Sequence, residues 1–178
     1  QTYECEIYPM VANGLRHEEI VERIDAATNV IGVSCGFTSE WTEFRKLVRL
    51  LRQHFPAATL VAGGEHLTAE PEYSLHDCPD LDFLVLGEGE ETFVELVAML
   101  EKGESPHEVD GLAFAGEDGV LVRTPRRQRI TELDEIPLPR WDLVPLENYL
   151  AKGLSFGVNR GRSIPMLATC QRLEADGA

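Results

Sequence analysis

Between residues 29 and 90, three short apolar runs of strand type each break off at small or glycine residues. NVIGVS at 29–34 opens into CGFT, TLVA at 59–62 stops at Gly63 and Gly64, and LDFLVL at 81–86 opens into GEGE. Short apolar runs without a polar face fit strands covered on both sides, as in a parallel sheet. A helical repeat follows the first run through Trp41, Phe44, Val48, Leu51 and Phe55, and another follows the third through Phe93, Leu96, Val97 and Leu100. A shorter helix is expected over 71–76, after the second run. Strand and helix in alternation predict a parallel sheet with right-handed crossovers and helices on both faces. The carboxyl edge of such a sheet is where open α/β folds bind ligands. Gly63 and Gly64 suit that edge, because a residue without Cβ reaches positive φ and lets a ligand lie against the backbone.

The flanking segments extend the alternation. YECEIY at 3–8 alternates like a strand, and Ile20, Val21, Ile24 and Ala27 mark a helix over 17–27. Thr38 or Ser39 is placed to cap the helix that begins near Trp41, whose Arg45, Lys46, Arg49 and Arg52 are expected to face water. Glu90 and Glu91 open the last helix of the series and Gly103 stands where a C-terminal glycine belongs. GLAFAGEDGVLVRT at 111–124 reads as two short strands around a Glu-Asp-Gly turn, a hairpin appended to the sheet domain. Pro125, Pro137, Pro139 and Pro145 then deny the chain a long helix or central strand. An ordered linker, held by Leu133, Ile136, Leu138 and a packed Trp141, is expected there, with a helical turn at 146–152 and the start of a strand in 163–169. The organisation expected is a sheet domain over 1–105, a hairpin over 106–124, and a linker leading into the start of a further domain over 125–178.

Composition limits the function. Asp and Glu outnumber Lys and Arg by 31 to 16, a formal charge of -15, which works against binding a phosphate backbone and makes nucleic acid an unexpected partner. No apolar run approaches the roughly 20 residues that span a bilayer, and no basic-then-apolar leader opens the sequence, so a cytoplasmic location is expected. Cys5, Cys35, Cys78 and Cys170 stand far apart, without CxxC or zinc spacing, and are expected as free thiols.

VIGVSCGFT, LVAGGEHLT, FLVLGEGEETFVELV, the GLAF hairpin and LDEIPLPRWDLVP, in this order, resemble the cobalamin-binding domain and linker of cobalamin-dependent radical S-adenosylmethionine enzymes. The resemblance runs from about Tyr3 to Thr169. It implies a flavodoxin-like Rossmann sheet that holds cobalamin with its nucleotide tail, detached from cobalt, along the carboxyl edge of the strands. Carried over by position, Ser34, Cys35, Gly36, Thr38, Gly63, Gly64 and His66 would line the tail, and Gly87, Glu88 and Gly89 would flank the corrin. Gly64 would then be bare mainly to clear the ligand. The activity implied is methyl transfer, with S-adenosylmethionine and a [4Fe-4S] cluster bound by a barrel domain that would be the partner of this one. That barrel's C-x-x-x-C-x-x-C motif is expected just after SIPMLAT, where only Cys170 stands, so the barrel and the sheet's usual first strand are expected to lie outside this sequence and the isolated fragment to be inactive.

His66 carries an imidazole that could ligate cobalt, yet the resemblance places it beside the tail, and the Asp-x-His-x-x-Gly loop of methionine synthase-type corrinoid proteins is absent. No axial histidine and no catalytic residue is expected. Glu88, Glu90 and Glu91 are accounted for by a turn and a helix dipole. The rival reading is a non-catalytic flavodoxin-like module for another nucleotide-tailed ligand or a protein partner.

Overall fold

A computed structural model describes residues 3–131, 134, 136–138 and 140–153. In chain order its elements are α1 (Met10–Asn13), α2 (His17–Val21), β1 (Val30–Ser34), α3 (Trp41–His54), β2 (Thr59–Gly63), α4 (Glu65–Ala69), α5 (Pro71–Asp77), β3 (Phe83–Val85), α6 (Glu90–Lys102), β4 (Leu112–Ala115), β5 (Leu121–Arg123) and α7 (Leu146–Ala151). They divide into one unit over Arg16–Leu138 and a second made of residues 1–15 and 139–178. The segment 163–169, Leu133 and Cys170 lie outside the described residues.

The larger unit is an α/β fold around a five-stranded sheet in the order β1-β2-β3-β4-β5. β1 pairs parallel with β2, Gly32 opposite Val61, and β2 pairs parallel with β3, Val61 opposite Phe83. The crossover pattern expected from the three apolar runs is therefore present. The hairpin departs from its expected role as an appendage, since β4 runs antiparallel along β3, Val85 opposite Leu112, and β5 follows antiparallel. Alternation along the strands sets the two faces. On one, Val61, Val85 and Leu112 pack with Leu96 of α6 and Val109, joined at the margin by Val30, Phe83, Met99 and Leu100. On the other parity, Leu60, Ala62, Leu84 and Ala113 are all buried. A truncation such as Leu84→Ala in a core of this kind costs about 2–5 kcal/mol.

Several expectations shift. The run 29–34 is not buried on both faces, because β1 pairs only with β2 among the described residues; Ile31 is buried but Gly32 is exposed, and the Phe93 ring lies 3.6 Å from where a Cβ on Gly32 would sit. Residues 3–8 form no strand. The helix over 17–27 stops at Val21; the Asp25 carboxylate accepts the Ala27 N–H at 2.7 Å and Thr28 N–H bonds to Asp25 O, a turn that competes with helix. Arg52 does not face water. Its guanidinium donates to the carbonyls of Ala58 at 2.8 Å and Asp80 at 2.9 Å, and meets the Asp82 carboxylate at 2.6 Å. Asp82 in turn accepts the Leu60 N–H at 2.7 Å, so one arginine joins the end of α3 to the starts of β2 and β3.

Charge ties the first part of the linker to the sheet unit. Arg127 donates to Thr92 Oγ1 at 2.7 Å and pairs with Glu91 and Glu95 along α6, while Ile130 N–H donates to Glu88 at 3.0 Å. Leu138 is 87% exposed. In the second unit α1 ends on Gly14 in the left-handed region, and Asn148 of α7 donates to Asn13 Oδ1 at 2.8 Å. Trp141 there is 51% exposed, not packed, beside an Arg140–Asp142 ion pair of 2.6 Å.

Candidate functional site

The parallel pairing of β1, β2 and β3 brings their carboxyl ends to one edge, and short-range contacts then tie the loops together. Cys35 N–H donates to Gly63 O at 2.9 Å, carrying the β1–β2 ladder one residue into the loops. Gly64 follows with φ 124° and ψ 171°, a backbone state essentially restricted to glycine. A Cβ on Gly64 would stand 2.2 Å from Cys35 O and 2.7 Å from its carbonyl carbon. The bareness of Gly64 is therefore demanded by protein packing, whereas it was expected to serve mainly ligand clearance. Gly63 is roomier, with its nearest contact a Val85 carbonyl oxygen at 3.7 Å.

Two threonine hydroxyls complete the ties. Thr38 Oγ1 lies 3.1 Å from His66 Nδ1, joining the β1–α3 loop to α4. The other, Thr68, accepts the Gly87 N–H at 3.0 Å and joins α4 to the loop after β3. Thr68 was not singled out in the sequence; its one signal is a place at the end of GGEHLT, and its partner is 19 residues away. Of the candidate residues, Cys35, Thr38, Gly63, Gly64 and His66 meet directly, and Gly87 is joined to them through Thr68. Ser34 is exposed at the strand end and Gly36 is half-buried. Glu88 leads away from this group to the linker at Ile130, and Gly89 stands at the start of α6.

The side chains differ in what they can offer a ligand. Cys35 is fully buried, main chain included, with its thiol 3.6 Å from Phe37 O, and burial raises its pKa; its N–H is spent on Gly63 O, so it supports the edge from behind. His66 is 5% exposed and packs against the Trp41 ring, at 4.8 Å, and the Tyr73 ring, at 6.5 Å, which lie 6.0 Å from each other. Its Nδ1 faces Thr38 and its Nε2 is buried without a partner. Trp41 is itself fixed by donating to Asp77 Oδ2 at 2.8 Å; that bond, with the Tyr73 hydroxyl and the Arg45 guanidinium, holds the Asp77 carboxyl below the usual carboxylate range. Among the described residues no group of three His, Cys, Asp or Glu could hold a metal ion.

The arrangement can hold a ligand by main chain and hydroxyl. Gly87, at φ 74°, has nothing within 4 Å of where a Cβ would be, so its backbone is open on that side. An open glycine, an exposed Ser34 and bare Gly63 suit a thin polar tail lying against strand ends.

The family of the B12 binding domain matches residues 1–97. The chain belongs to that family. Among curated relatives, this B12-binding domain is 35% identical over 140 residues to an uncharacterized methyltransferase, PH0819, of Pyrococcus horikoshii, covering 79% of this chain and 30% of the relative. It is 36% identical over 142 residues to an anaerobic magnesium-protoporphyrin IX monomethyl ester cyclase of Synechocystis, covering 76% and 27%. The B12-binding domain thus spans under a third of the length of these relatives. In fold it is similar to OxsB, a cobalamin-dependent S-adenosylmethionine radical enzyme solved with aqua-cobalamin and S-adenosylmethionine bound; the TM-score is 0.64 at 24% identity, over 75% of this chain and 18% of that one. The sequence resemblance to cobalamin-dependent radical enzymes and the expected α/β fold are both borne out. Among the described residues no helix is long and apolar enough to cross a membrane.

Proposed function

We propose that this domain holds cobalamin at the carboxyl edge of β1, β2 and β3 for a radical S-adenosylmethionine enzyme of the methyltransferase kind. The observation that carries the reading is the tied cluster of loops that leaves main chain bare at Gly63 and Gly87 within a B12-binding family. Bound cobalamin supplies a cobalt centre that can carry a methyl group between donor and acceptor. The residues of this chain bind and orient it. Ser34, Thr38 and the backbone of Gly36, Gly63 and Gly64 would line the nucleotide tail, the buried Cys35 and His66 would stand behind them, and Gly87, Glu88 and Gly89 would flank the corrin. With one ring nitrogen on Thr38 and the other buried, His66 would support the loop around the tail and would not serve as a ligand to cobalt. S-adenosylmethionine and a [4Fe-4S] cluster are assigned to a barrel domain outside these residues, and with them the substrate contacts.

The test is a titration of the chain with hydroxocobalamin read by absorbance. Saturable binding at one equivalent, with the spectrum of a corrinoid whose benzimidazole has left cobalt, is the expected result. Failure to bind, or binding with the benzimidazole still on cobalt, overturns this reading and favours a module for a different ligand.

A further inference from the structure

His66 presents a physical puzzle, because a leucine would fill the space beside Trp41 and Tyr73 without burying an unpaired ring nitrogen. A buried polar atom without a partner is costly and calls for an explanation. The polar contact its ring makes is Nδ1 to Thr38 Oγ1, across 28 residues of sequence, between the loop after β1 and the helix after β2. Its ring packs against the Trp41 indole and the Tyr73 ring, which also pack on each other, and Trp41 and Tyr73 are in turn anchored on the same Asp77 carboxylate. Thr38, by contrast, is exposed in the 3-10 turn Thr38–Glu40 and has no such packing to position it.

Resting on the cobalamin reading above, we infer that His66 is a positioning residue: its Nδ1 fixes the Thr38 hydroxyl and so sets the width of the tail slot between the β1 and β2 loops. It acts through Thr38 and touches no ligand, since its Nε2 has no exposed surface. The rigid part is the aromatic cage on α3 and α5, and the part being aimed is the loop from Cys35 to Thr38. Such support by a locked neighbour is how a site on loops gains precision.

The clamp acts on the nucleotide tail alone, so it separates two corrinoids. Cobinamide carries the corrin without the nucleotide tail. Titrations of the chain and its variants with hydroxocobalamin and with dicyanocobinamide, alongside thermal melts, test the assignment. Asparagine can place a polar atom near the Nδ1 position and glutamine near Nε2, so H66N should stay within about threefold of the parent for cobalamin. H66Q, H66L and T38V should each weaken cobalamin about tenfold, the scale of one lost hydrogen bond, and the double variant T38V/H66L should be no weaker than either single one. Cobinamide affinity should be unchanged throughout. If H66L and H66Q bind cobalamin as the parent does, or if they weaken cobinamide equally, His66 has no positioning role. If H66L fails to fold, H66N against H66Q decides the same point. Absence of cobalamin binding by the unsubstituted chain would instead overturn the functional reading on which the clamp rests.

Discussion

Gly64 carries two demands at one residue, a positive φ and a carbonyl oxygen where its Cβ would be. Gly64→Ala must move the Cys35 peptide or abandon that backbone state, and together these effects cost about 2–4 kcal/mol. Urea unfolding of the corrinoid-free chain should show that loss; an unchanged midpoint would mean the loops can part freely. The cysteines give a second expectation. Burial, chiefly, pushes the Cys78 thiol up from near 9 to about 11. A raised thiol pKa contributes stability that is complete below about pH 9 and is lost as pH rises through about 11. Cys78→Ala should therefore flatten the fall of melting temperature between about pH 9 and 10.5 relative to the parent. In the native chain at pH 8, iodoacetamide should label the exposed Cys5 far faster than the buried Cys35 and Cys78, as mass spectrometry of digests would reveal.

Among elements, α3 contributes more than an apolar stripe. Its buried Trp41, Phe44, Leu47, Val48 and Leu51 follow the repeat expected of it, but its last turn carries Arg52, whose partners lie 28 and 30 residues away. Removing Arg52 would strand the carbonyls of Ala58 and Asp80 and the partly buried Asp82 carboxylate. Arg52→Ala should cost about 2–3 kcal/mol, whereas Arg49→Ala, exposed on the same helix, should stay within about 0.5 kcal/mol. Equal effects in urea unfolding would return Arg52 to the solvated face. The two arginines look alike in sequence, because a helical repeat places both beside the apolar stripe and only the arrival of 80–82 tells them apart. The hairpin has the same lesson. Its turn is local and was legible, while its attachment to the edge of β3 depends on main-chain groups that every residue possesses.

On the scale of the whole molecule, the described residues tie the loops after β1, β2 and β3 together and contain no cluster of metal-binding side chains. Anaerobic reconstitution of the chain with iron and sulfide should leave no reduced-cluster signal in electron paramagnetic resonance; a stoichiometric signal would place cluster chemistry on residues now assigned to none. The sequence by itself determined the α/β class, the three parallel strands and the C-terminal glycine of α6, because apolar periodicity and glycine placement are local and repeat along the chain. It also carried the resemblance to cobalamin-binding domains. Only the tertiary structure decided that β1 has one strand neighbour among the described residues, that Thr68 bonds to Gly87, that Gly64 is bare for the sake of Cys35, and that His66 is closed to a metal. Each of these rests on where two distant segments meet, a quantity set by packing and by main-chain hydrogen bonds to which no residue type is specific.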